Sequence, residues 1–369
     1  MPANRPALLR RAVAVAAVLP LLALAACGYG SQAGADDTTK IVAGAQKVDG
    51  LGSVRIGYLG NLTHATVLVG RRTGFFQKEL GGTRASYAVF GAGPSEIEAL
   101  NSGSIDIGWI GPSPAINGYI RSGGRNLKII GGSASGGVKL VVDPEKITSL
   151  EEVRGKRIAT PQLGNTQDVA FLDWAAGQGW KVDALSGRGD VTVVRSDDKV
   201  TPDAFRAGSV DGAWVPEPTA SRLVAEGGRV LLDESALWPD KRFVTTNIVV
   251  SQRFLRAHPK AVEAVLKASV KTNAWINANP DEAKAAANRQ LGIDTGKELP
   301  ANVLDPAWQS IRITDDPLAA TLATEAEHAV EAGLLHQPDL KGICDLTMLN
   351  KVLRAAGSRP VDAAGLDAG

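Results

Sequence analysis

The sequence predicts an α/β fold of two lobes, each built on a doubly wound sheet, with two hinge strands joining them. Three observations carry this. At 369 residues the chain exceeds what one hydrophobic core usually serves. From Val54 onward, short apolar strands alternate with helical segments, the pattern of a parallel sheet covered by helices. The segment 99–110 (ALNSGSIDIGWI) returns at 204–215 as AFRAGSVDGAWV, with Ala, Gly, Ser, Asp and Trp in the same places. A repeat of helix end, glycine turn and strand at this distance predicts two lobes of one plan.

Residues 1–26 read as a targeting segment. Arg5, Arg10 and Arg11 precede an apolar run, 12–26, that is short for a bilayer span. The run ends in Leu24-Ala25-Ala26-Cys27, which resembles a lipobox, so Cys27 is expected to carry a lipid. Residues 27–52 then form a small, polar tether. Without residues 1–26, 37 basic residues face 39 acidic ones, and no run of Lys or Arg stands out. That balance argues against nucleic acid as a partner. If Cys27 is lipidated, Cys344 lacks a mate, and no disulfide is expected.

The first unit runs strand 54–59, loop 60–64, helix to Gly70. A strand at 85–90 leads through Gly91-Ala92-Gly93-Pro94-Ser95 into a helix, where Pro94 suits the first turn. The strand 105–110 meets Gly111-Pro112-Ser113-Pro114, with Ser113 placed to cap and Pro114 to start the next helix. A strand at 127–130 opens into a glycine-rich turn, and 138–142 is expected to cross to the second lobe. There the pattern restarts with a strand near 157–160, the loop 161–168 and the helix 169–176. Asn165 with Asp168 resembles a capping box. A strand at 191–194 follows, and 247–250 is expected to return to the first lobe, after which the chain is largely helical. The predicted lobes are 53–141 with 247–369, and 142–246, hinged near Val141 and Asn247.

Open parallel sheets bind ligands beyond the carboxyl ends of their strands, where helix starts offer free N–H groups and partial positive charge. The loops at those places are rich in Gly, Ser, Thr and Asn and poor in Lys and Arg. Neutral donors of this kind suit a compact oxyanion. No Walker A loop, HExxH, GxSxG or paired cysteines occur, and His258, His328 and His336 lack metal spacing. No catalytic residue, metal or cofactor is therefore expected.

Several motifs resemble one family. They are Val54-Arg55-Ile56-Gly57-Tyr58 with Gly74-Phe75-Phe76, the stretch 103–111 (GSIDIGWIG), the joint 150–158 (LEEVRGKRI), and Ala213-Trp214-Val215-Pro216-Glu217-Pro218. Together they are similar to the aliphatic sulfonate, nitrate and taurine class of periplasmic binding proteins, across roughly residues 53–290. The resemblance implies the bilobed type II fold and a monomeric, extracytoplasmic solute-binding lipoprotein of an ABC importer, with a permease and ATPase as partners. It implies a small anionic solute, aliphatic sulfonate first and taurine next, with nitrate, bicarbonate or a thiamine-pyrimidine precursor as alternatives. Relatives that make the pyrimidine carry a cysteine-rich motif absent here.

Carried over by position, the implied ligand-binding residues are Asn61, Thr63 and His64, then Gly93, Pro94 and Ser95, then Gly111, Pro112 and Ser113. The second lobe supplies Gln162, Gly164, Asn165 and Thr166, faced by Trp214 and Glu217. Glu217 departs from the family's usual Asp, and two readings stand: a carboxylate facing a ligand's ammonium group, or a structural acid beside Pro218. His64 has two readings as well, ligand donor or loop hydrogen bond. Trp109 and Trp214 stack on a ligand or fill the core.

Overall fold

The computed structural model describes residues 31–32, 44–336 and 338–367; the segment 1–26 and Cys27 lie outside them. The strands are β1 (Ser31–Gln32), β2 (Ser53–Leu59), β3 (Arg84–Phe90), β4 (Ile107–Ile110), β5 (Leu127–Gly136) and β6 (Val138–Val142). They continue with β7 (Arg157–Thr160), β8 (Thr192–Arg195), β9 (Gly212–Pro216), β10 (Arg229–Asp233), β11 (Val244–Ser251) and β12 (Ile311–Ile313). One sheet has the order β1-β3-β2-β4-β11-β5-β12 and the other β10-β6-β9-β7-β8. In each, a three-stranded parallel unit meets an antiparallel neighbour: β3-β2-β4 beside β11, and β8-β7-β9 beside β6. The alternation of strands and helices accounts for the parallel units; the antiparallel β11 and β6, which it does not predict, make each sheet mixed.

The internal repeat has a structural counterpart. Arg55 on β2 grips Asp106, just before β4, through its main-chain N–H (2.9 Å) and two guanidinium bonds (3.0 and 2.5 Å). Arg157 on β7 grips Asp211, just before β9, in the same way, at 3.0, 3.1 and 2.8 Å. In each lobe the Asp N–H returns a bond to the arginine's carbonyl. A bidentate, charge-assisted clamp sets the register of two parallel strands that share no short turn. Gly103 and Gly208, both at positive φ, end the preceding helices and allow the tight joint before each aspartate.

The chain leaves the first sheet at Gly136 and Gly137, whose φ values of 77 and 74° favour glycine. It returns between Asp233 and Val244. The segment expected to cross at Val141 therefore lies wholly in the second sheet, and Asn247 lies within the first. The run of glycines is what lets the chain turn between sheets; β6 and β11 are ordinary buried strands. β11 is buried along its whole length because it runs between β4 and β5.

Each lobe has its own core. Trp109 is fully buried in the first, edge-on to Phe76 at 5.4 Å. Trp214 is fully buried in the second, beside Phe171 and Trp174 at 5.8 and 5.7 Å. The C-terminal part bridges the lobes: helix Ala301–Ser310 packs on Thr219–Ala225, and Ala319–Glu331 packs on Thr166–Gly177. Cys344 is buried and unpaired by any disulfide, as expected of a small apolar group. Among the described residues no helix is long and apolar enough to cross a membrane.

Candidate interlobe binding site

The carboxyl ends of the parallel strands face each other across the interlobe cleft, and the cleft is closed. Hydrogen bonds among the described residues cross it. Gly93 N–H donates to Asn165 Oδ1 (3.2 Å), Ser113 N–H to Thr166 Oγ1 (3.4 Å), and Leu62 N–H to the Glu217 carbonyl (3.1 Å). Between them remains a void of about 20 Å³. The first lobe lines it with Leu59, Asn61, Thr63, His64, Gly111 and Thr245, and the second with Asn165, Thr166, Gln167, Asp198 and Pro216.

The starts of helices Pro112–Arg121 and Thr166–Gly177 meet here from opposite lobes. Their free N–H groups and dipoles favour negative charge. No Lys or Arg lines the void, so the donors are neutral. His64 accepts the Leu59 N–H on Nδ1 (3.2 Å), which places the ring proton on Nε2. Burial pushes the His64 pKa down to about 3, so the ring is a neutral donor at physiological pH. Asn61 takes the Thr63 hydroxyl on Oδ1 (2.7 Å), leaving its amide N–H pair for other partners.

One lining group is acidic. Asp198 Oδ1 is buried without a hydrogen-bond partner. Burial and the adjacent Asp197 push its pKa up to about 7, against the pull of Arg222. Asp198 and Asn61 also line a larger open cavity of about 500 Å³, next to the void.

Of the expected residues, Asn61, Thr63, His64, Gly111, Asn165 and Thr166 line the void. Gly93 and Ser113 act through the cross-lobe bonds their N–H groups make. The Ser113 hydroxyl turns instead to Glu325 (3.2 Å), and Pro112, rather than Pro114, opens the helix. Pro94, Ser95, Gln162 and Gly164 stand outside the lining. The Ser95 hydroxyl bonds back to the Ala92 carbonyl (2.8 Å), and Gly164 N–H donates to Asp168 (3.1 Å).

Two expected residues are corrected outright. The Glu217 carboxylate is fully buried beside Lys139 (2.6 Å) and accepts Ser221 N–H (3.0 Å), so it is a structural acid. Trp214 belongs to the second core, and its Nε1 donates to Glu234 (2.6 Å). The capping box also fails: Asn165 Oδ1 reaches across to Gly93, while Asp168 accepts from Thr160 and Arg195. The residues not foreseen are Leu59, Gln167, Asp198, Pro216 and Thr245; the Asp197-Asp198 pair after a predicted strand was the one signal available for them.

A family model described as the NMT1-like family matches residues 49–291. The chain belongs to the NMT1-like family. Among its relatives is the taurine-binding periplasmic protein of Escherichia coli, 28% identical over 269 residues, 70% of this chain and 80% of that one. Among solved structures, the alkanesulfonate-binding protein SsuA from Xanthomonas axonopodis pv. citri, bound to MOPS, superposes with a TM-score of 0.63 at 23% identity. It covers 78% of this chain and 95% of its own. The nitrate-binding protein NrtA from Synechocystis PCC 6803 gives 0.64 at 16% identity, over 78% and 83% of the two chains. These likenesses show the bilobed binding-protein fold, and the relatives that match in sequence are named as binding proteins.

Proposed function

We propose that this protein is the solute-binding lipoprotein of an ABC importer, capturing a small anionic solute between its lobes for a permease and ATPase. An aliphatic sulfonate is the first assignment and taurine the second. The observation that carries the reading is the meeting of two helix starts, one from each lobe, over a void walled by neutral donors. An oxyanion there gains N–H bonds from both sides, so its binding favours the closed state. The named ligands of the relatives, taurine and alkanesulfonate, support the same class. Lipid on Cys27 after removal of 1–26, an extracytoplasmic location and action as a monomer complete the proposal.

The small size of the void, about 20 Å³, favours a second reading. Space on the scale of one water suits a compact oxyanion such as nitrate or bicarbonate. Titration calorimetry of residues 28–369 against ethanesulfonate, taurine, nitrate and bicarbonate tests both. Micromolar affinity, about −8 kcal/mol, for a sulfonate supports the first reading, and for nitrate or bicarbonate alone the second. No binding by any of them rejects the interlobe oxyanion site. Cell fractionation of Cys27→Ser tests the anchor: release of the variant from the membrane fraction supports lipidation, and unchanged retention opposes it.

A further inference from the structure

Asp198 is out of keeping with the rest of the cleft. It follows β8, on a loop at the carboxyl edge of the second sheet, and its side chain lines the void opposite Asn61 and His64. Its Oδ1 is buried and accepts nothing. The charged groups that act on it are Asp197 on the same loop and Arg222 on helix Thr219–Ala225; the adjoining cavity is also lined by Lys199, Arg206 and Lys297 and by Asp203, Glu226 and Glu298. Arg222 acts on it only at a distance, for neither a hydrogen bond nor an ion pair joins the two. A buried carboxyl oxygen without a donor costs about 1–3 kcal/mol. Asp168 and Glu217 avoid that cost, accepting from Thr160 and Arg195 and from Lys139 and Ser221. Glu96, Glu234 and Glu325 also hold buried carboxyl oxygens without a donor, but of these acids Asp198 is the one that lines the void.

A plain oxyanion would leave Asp198 unpaired and add like charge beside it. A solute that brings its own N–H donor removes both penalties. We propose that Asp198 is the specificity residue of the cleft: it accepts from a protonated nitrogen on the solute, so the site selects a zwitterion over a plain anion with the same head. The neutral donors then hold the anionic end, and Asp198 reads the cationic end across the mouth of the larger cavity. This rests on the interlobe site proposed above and narrows its ligand.

Matched ligands provide the test, because ethanesulfonate and taurine share a head and differ by an amino group. Calorimetry on the wild-type protein is expected to show taurine bound at least tenfold more tightly. Asp198→Asn, which keeps size and shape, is expected to abolish that preference, mainly by weakening taurine, while ethanesulfonate stays within threefold. Asp198→Ser provides a second variant, and circular dichroism checks that each is folded. Equal binding of the two ligands by the wild type overturns the inference and leaves the oxyanion site standing, as does a preference that survives both substitutions. Failure of every oxyanion to bind removes the site itself, and the inference with it.

Discussion

Thr166 of the second lobe accepts on Oγ1 the main-chain N–H of Ser113, in the first turn of a helix on the first lobe, at 3.4 Å. One hydroxyl thus joins two helix starts whose positive ends would otherwise oppose each other. Thr166→Val keeps the volume and removes the acceptor. A hydrogen bond of this kind contributes about 0.5–1.5 kcal/mol. Ligand affinity should therefore fall about three- to tenfold, with the urea midpoint little changed. Calorimetry showing wild-type affinity would exclude this bond from closure.

Gly111 gives a steric version of the same experiment. Its φ of −66° suits any residue, yet a Cβ there would stand 2.4 Å from Thr166 Oγ1. Gly111→Ala should leave each lobe intact and wedge the cleft open. Small-angle scattering is expected to show the ligand-induced contraction of the wild type and none in the variant. Affinity should drop at least tenfold.

The Lys139–Glu217 pair sits between the lobes' crossing point and helix Thr219–Ala225, and Lys139 also donates to Ser310 (2.6 Å). Lys139→Ala strands a fully buried carboxylate, which costs about 3–5 kcal/mol. Glu217→Gln should cost less and change solute affinity by less than threefold. Urea unfolding and calorimetry measure the two. A large affinity loss without destabilisation would return Glu217 to the binding site.

Trp214→Ala empties the centre of the second core and removes the donor to Glu234. Destabilisation of about 3–5 kcal/mol follows from the cavity, seen as a lower urea midpoint. Trp214→Phe should recover most of it, because the ring contacts with Phe171 and Trp174 survive.

Glu234 links stability to pH. Burial pushes its pKa up to about 7, opposed by hydrogen bonds from Trp214 and Trp238. The folded protein then holds a proton that the unfolded chain releases near pH 4.5. The resulting stability is fully present below that value and is lost as pH rises through 7. His64, buried neutral, works in the opposite direction at lower pH, so the informative quantity is a difference. Between pH 5 and 7.5 the urea midpoint of the wild type should fall more than that of Glu234→Gln. Parallel pH profiles would rule Glu234 out as the source.

Strand positions, the two-lobe plan and the duplicated joint were readable because each is local: alternation, glycine punctuation and a repeated string. The loops at the carboxyl ends of strands were readable for the same reason, hence Asn61, His64, Gly111 and Thr166. What a loop's position does not encode is where each side chain points. Glu217 turns to Lys139, 78 positions away, through a strand pairing that no local pattern announces. Trp214 and Gln167 stand near the cleft in sequence, yet one fills a core and the other lines the void. Asp198 was visible as a residue but not as a lining group, since its place depends on how the second lobe docks on the first.

β11 joins two parts of the first sheet that no other described strand pairs. It is the central partner of both β4 and β5, yet it is made only after the whole second sheet. As the chain grows, residues 138–233 can complete their sheet while β4 and β5 still expose unpaired edges. The first sheet therefore cannot join β4 to β5 until residues 244–251 have been made, after every strand of the second.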